Sequence, residues 1–140
     1  MTPLLNAAHK GHLDILRHLI RVGCDKEGRS TKMKSTPLMF AAEGGHIETV
    51  RFLITEGCEK ESGNKTESTP LMLAAGKGHL ETVHYLITVG CGKESRNKQG
   101  STPLLYAAYN GHLDIVRYLV EVGCEKEGSD KVIIDIVSSV

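Results

Sequence analysis

Tryptophan is absent, and two Phe with four Tyr are all the large aromatics in 140 residues. Such side chains usually anchor a single globular core, so their scarcity favours a thin, layered interior. No run approaches the roughly 18 apolar residues that a membrane-spanning helix needs. No apolar segment follows Met1, so a secretory signal is not expected. Neither sign of charge prevails, with 17 basic against 17 acidic residues, and a global pull toward nucleic acid or an anionic membrane is absent. Phosphate-cradling glycine loops, clustered metal ligands and paired acid/base residues are also missing. These absences predict a soluble protein of the cytoplasm or nucleus, with no cofactor, no metal and no catalytic residues.

What the chain does have is itself, four times. Thr102–Cys124 matches Thr69–Cys91 at 14 of 23 positions, 33 residues earlier. A further 33 residues back stands Thr36–Cys58, and 34 more reach Thr2–Cys24. A fixed period of this length marks a repeat architecture. Each copy opens on Thr-Pro, a helix start in which the hydroxyl can cap an orphan N–H and Pro costs no hydrogen bond. An Ala-Ala pair gives the first helix a slim face. Gly11, Gly45, Gly78 and Gly111 then stop it, because glycine tolerates the left-handed conformation of a helix end. An acid in the next turn (Asp14, Glu48, Glu81, Asp114) opens a second, amphipathic helix. Two such short helices cannot bury their apolar faces alone, so the units must stack into a solenoid.

Thr-Pro-Leu, Ala-Ala, Gly-His-Leu/Ile-Glu/Asp and a closing Gly-Cys, in this order and period, resemble the ankyrin repeat over residues 2–128. The resemblance implies an all-α solenoid of helix-turn-helix units with β-hairpin finger loops. It implies one domain over 1–140, with units at 1–24, 25–58, 59–91 and 92–124 and a tail at 125–140. Two departures stand out. The His usual after Thr-Pro-Leu is Leu5, Met39, Met72 or Leu105, and the Ala usual after the closing Gly is cysteine. The first removes a polar contact that ties neighbouring loops in the family.

Cys24, Cys58, Cys91 and Cys124 hold equivalent positions. Stacked units would set them roughly 10 Å apart, too far for a disulfide or a shared zinc ion, so they are expected to be reduced and to fill the place of alanine. His12, His46, His79 and His112 recur with the frame and read as structure, which leaves His9, His18 and His84 without a paired nucleophile or carboxylate. Phe52, Tyr85 and Tyr118 form a ladder read as packing between units rather than a binding stripe. Lys34 and Glu67 stand where the third finger carries Gly100, which predicts either backbone strain or a different turn.

Unit one is the most polar copy, with Asn6 and His18 at otherwise apolar or aromatic positions. Either a solvent-facing cap or truncation of a longer array accounts for this. In the tail, Val132, Ile133, Ile136, Val137 and Val140 fall on one face of a helix, although their β-branching also suits a strand. They are expected to cap unit four.

Ankyrin-like proteins bind partners with finger tips and first helices, which implies a monomeric protein-binding module, not an enzyme. Carried over by position, the contacts are Asn6, His9 and Lys10 in unit one and Lys32, Met33, Phe40 and Glu43 in unit two. Unit three offers Lys65, Thr66, Leu73 and Lys77, and unit four Lys98, Gln99, Tyr106, Tyr109 and Asn110. These positions vary between copies while the frame does not. A spacer without a ligand is the alternative. Nucleic-acid binding ranks third, because acids such as Glu27, Glu61 and Glu67 interleave with the finger lysines.

Overall fold

A computed structural model of the protein describes residues 1–123, and the expected tail cap therefore lies outside the described residues. Eight helices form four antiparallel pairs: α1 (Pro3–Lys10) with α2 (Leu13–Arg21), α3 (Pro37–Glu43) with α4 (Ile47–Thr55), α5 (Pro70–Lys77) with α6 (Leu80–Thr88), and α7 (Pro103–Tyr109) with α8 (Leu113–Glu121). Every first helix starts as its sequence dictates. Thr2, Thr36, Thr69 and Thr102 each accept from the N–H three residues on, at 3.2–3.3 Å. Two of the residues that stand in place of histidine make a local bond of their own. The thioethers of Met39 and Met72 accept from the N–H of Thr36 and Thr69 at 3.4 and 3.5 Å, which closes a capping box through sulfur. Leu5 and Leu105 have no acceptor to offer.

The first helices stack directly, α1 on α3, α3 on α5 and α5 on α7, while the second helices touch less extensively. The alanine pairs allow this approach: Ala41, Ala42, Ala74, Ala75 and Ala107 are fully buried. Leu53, Leu86 and Leu119 from the second helices complete one continuous apolar layer. The first helices and the loops before them share one side of the stack, the inner side, where they line a common cleft.

No residue of the loops lies in a regular strand among the described residues, yet each finger folds back on a backbone bond, Ser30 N–H to Ser35 C=O, Asn64 N–H to Ser68 C=O and Asn97 N–H to Ser101 C=O, at 2.9–3.0 Å. Side chains reinforce these closures. Asn64 Oδ1 accepts from the N–H groups of Thr66 and Ser68, and Asn97 Oδ1 from those of Gln99 and Ser101. In the first finger Ser30 Oγ accepts from Ser35 N–H. The fingers are still bonded to one another, Lys65 N–H to Met33 C=O at 2.8 Å and Lys98 N–H to Thr66 C=O at 3.0 Å. Lys34 and Glu67 do take positive φ, 57° and 63°, at the position where Gly100 has 79°. The second and third fingers share the same turn, with Glu67 N–H on Asn64 C=O and Gly100 N–H on Asn97 C=O. The first closes one residue wider, from Ser30 to Ser35, and Lys34 and Glu67 carry the strain.

Candidate partner-binding surface

Three recurring contacts fasten each helix pair to the one before it. The first uses the Gly-His histidines. Their Nε2 atoms bond to carbonyls at the end of the preceding first helix: His46 to His9, His79 to Glu43 and His112 to Gly76, at 2.9–3.0 Å. The second lies at the loop bases, in the recurring Lys-Glu after each closing cysteine. The Glu27 carboxylate accepts from Glu59 N–H at 2.8 Å, and that of Glu61 from Gly92 N–H at 3.0 Å. Lys26 donates to Glu56 C=O, and Lys93 to Val122 C=O. Cys58 and Cys91, both buried, sit in the same clasp, and their thiols donate to Lys26 C=O and Lys60 C=O at 3.8 Å. Burial pushes the Cys58 thiol up to about 12 and the Cys91 thiol up to about 11, helped by the neighbouring Glu27 and Glu61 carboxylates. Cys24 is exposed.

The third contact runs along the second helices. Arg17 lies over the Phe52 ring at 5.2 Å and Arg51 over Tyr85 at 4.7 Å, while the His84 ring meets Tyr118 at 5.3 Å. A cationic or imidazole side chain from one pair thus covers the aromatic of the next. The aromatic ladder is packing between units, as its periodicity suggests. A shallow trough of about 450 Å³ between α6 and α8 is lined by this same stacking, including Leu80, His84 and Tyr118.

The variable residues converge on the other side. A cleft of about 450 Å³ runs between the first two fingers and the first helices, and Lys32, Met33, Phe40, Glu43, Thr66, Leu73 and Tyr106 line it. A smaller cleft of about 280 Å³ continues from it, bounded by Glu43, Leu73, Lys77, Tyr106 and Asn110. Nine of the sixteen residues expected at the surface are therefore exposed or half-buried around one connected hollow, and Lys65 stands exposed on the second finger. Lys98 and Gln99 stand exposed on the third finger. Tyr109, 57% exposed, projects from the end of α7. On α1, Asn6, His9 and Lys10 are exposed outside the clefts, and the His9 ring meets Phe40 edge-on at 5.6 Å.

Tyr106 proves to be more than a contact residue. Its hydroxyl bonds to Ser68 Oγ at 2.5 Å and accepts from Asn97 Nδ2 at 2.7 Å. Ser68 Oγ in turn bonds to Thr66 Oγ1 at 2.9 Å, which itself donates to Asn64. One phenol thus pins the second and third fingers to α7. Its place among the contact positions did not reveal this, because the partners lie up to 38 residues away in sequence. The Lys-Glu clasp was equally overlooked, although Lys-Glu recurs at 26–27, 60–61, 93–94 and 126–127.

A family model described as ankyrin repeats (3 copies) matches residues 1–64 and 53–130. No curated protein matches the chain. No helix among the described residues is long and apolar enough to cross a membrane.

Proposed function

The chain belongs to the ankyrin-repeat family, and from that premise we propose that it is a protein-binding module that takes its partner on the finger tips and first helices. Ankyrin repeats are in general non-catalytic protein–protein interaction modules, and units at 1–24, 25–58, 59–91 and 92–124 follow from the same premise. One observation carries the reading: residues that differ from copy to copy gather around a single connected cleft, while those that recur are consumed in clasps between units. Amphipathic aromatics and exposed polar groups around an apolar hollow are the residue types that dominate interface energies.

Tyr109 and Tyr106 separate binding from folding. Tyr109→Ala is expected to move the melting temperature by no more than about 3 °C, since exposed substitutions rarely exceed about 0.5 kcal/mol. In affinity capture from cytosolic extract it should lose most of the partner retained by the parent. Tyr106→Phe should instead lower stability by about 1–3 kcal/mol, because Ser68 and Asn97 lose a partner together. Undiminished capture by Tyr109→Ala, with capture also insensitive to Phe40→Ala and Leu73→Ala, would refute this surface.

A further inference from the structure

The charges of the loops include two recurring sets. At the loop bases, Glu27 and Glu61 are spent on backbone N–H groups of the following unit. At the tips, Lys32, Lys65 and Lys98 occupy the same register of three successive fingers, and all three are exposed. The backbone bonds Lys65 N–H to Met33 C=O and Lys98 N–H to Thr66 C=O hold these tips side by side. An overall neutral chain therefore carries an exposed lysine at one register of three successive fingers, the first of them on the wall of the cleft. In the same cleft lies an apolar floor of Phe40, Leu73 and Tyr106, each half-buried.

From this juxtaposition we infer that the occupant is an extended acidic peptide segment, with carboxylates at every third residue and an apolar side chain between them. This rests on the reading of the cleft as a partner surface and adds the chemistry of the partner. The spacing follows from geometry. Stacked helices repeat every 8–10 Å or so, and a polyproline-II segment turns once per three residues while rising about 9.3 Å. Carboxylates at i, i+3 and i+6 thus share one face of such a segment and meet Lys32, Lys65 and Lys98 in turn. The intervening side chains of the opposite face reach the floor. A nucleic-acid strand fits less well, because its charge is continuous and Glu43 and Glu67 share this side of the molecule with the lysines.

The test selects a random peptide display library on the full chain, then measures purified peptides by fluorescence anisotropy. Enriched sequences should carry Asp or Glu at i, i+3 and i+6 around an apolar residue. Binding should weaken about tenfold in Lys65→Glu, with its melting temperature unchanged, and fall further as salt rises. Lys65→Arg should retain it. Enriched peptides that lack acids but still need Phe40 and Leu73 would overturn the inference and leave the partner surface standing. Failure to enrich any peptide would overturn both. A single-stranded oligouridylate bound more tightly than every selected peptide at equal salt would replace the peptide by nucleic acid.

Discussion

Gly45→Ala is expected to destabilise the protein by about 3 kcal/mol, and Gly57→Ala by only about 1 kcal/mol. Both glycines have positive φ, 71° and 85°, so backbone strain of about 1–2 kcal/mol is common to the two, less a few tenths returned by a stiffer unfolded chain. They differ in what lies beyond. A Cβ at Gly45 would stand 2.5 Å from Nδ1 of His79, whereas none of the surrounding atoms comes within 4 Å of one at Gly57. The His79 ring must move, and its bond to Glu43 C=O is lost with it. Because Gly45 lies at the middle of the stack, the damage falls on the coupling between the second and third helix pairs. In a solenoid that coupling is what makes unfolding cooperative. Thermal unfolding of Gly45→Ala should therefore begin about 10 °C lower and broaden, while Gly57→Ala keeps a single sharp transition. Equal shifts for the two would mean that the histidine clasp contributes nothing.

Alkaline pH offers the second large effect. An unfolded thiol ionises near its ordinary 9.0, but burial holds Cys58 protonated to about 12 and Cys91 to about 11. Above pH 9 the unfolded chain thus binds fewer protons than the folded one, and stability falls as pH rises. Below pH 9 both states hold the protons, and the full contribution is present. Each thiol is worth at most about 1.4 kcal/mol per pH unit in this window. Solvent at the loop edge screens part of it, so roughly 2–3 kcal/mol should be gone by pH 11. Chemical denaturation between pH 8 and 11 measures the slope directly. The Cys58→Ala/Cys91→Ala variant should fold normally at pH 7 and lose most of the slope, which separates the thiols from lysines and tyrosines that titrate nearby. A slope unchanged in that variant would show that the two sulfurs are not shielded.

The parts of this fold that were legible in the sequence are those decided within a few residues. Thr-Pro fixes a helix start through one hydroxyl and one locked φ, and each Gly-His marks its end. The positive φ at Lys34 and Glu67 was likewise foreseeable, because Gly100 stands at the matching place. The clasps were legible as repetition but not as chemistry. His79 was plainly structural, yet its acceptor, the Glu43 carbonyl, lies 36 residues upstream and belongs to the backbone. No side-chain pattern announces a carbonyl partner. The hairpin fingers were legible through the family resemblance, but the side chains that brace their tips were not. Asn64 and Asn97 brace their loops through side-chain oxygens, beside the backbone bonds that Asn64 N–H makes to Ser68 C=O and Asn97 N–H to Ser101 C=O. Of the candidate surface, the variable positions were located by register alone, while the double role of Tyr106 required three dimensions.

Amide hydrogen exchange, with and without a bound partner segment, tests the assignment of the inner face most directly. Exchange should slow at 31–34, 64–67 and 97–100 and at the ends of α5 and α7, with α4, α6 and α8 unchanged. Slowing confined to the second helices, where Arg51 covers Tyr85 and His84 meets Tyr118, would place the partner on the opposite side and contradict it.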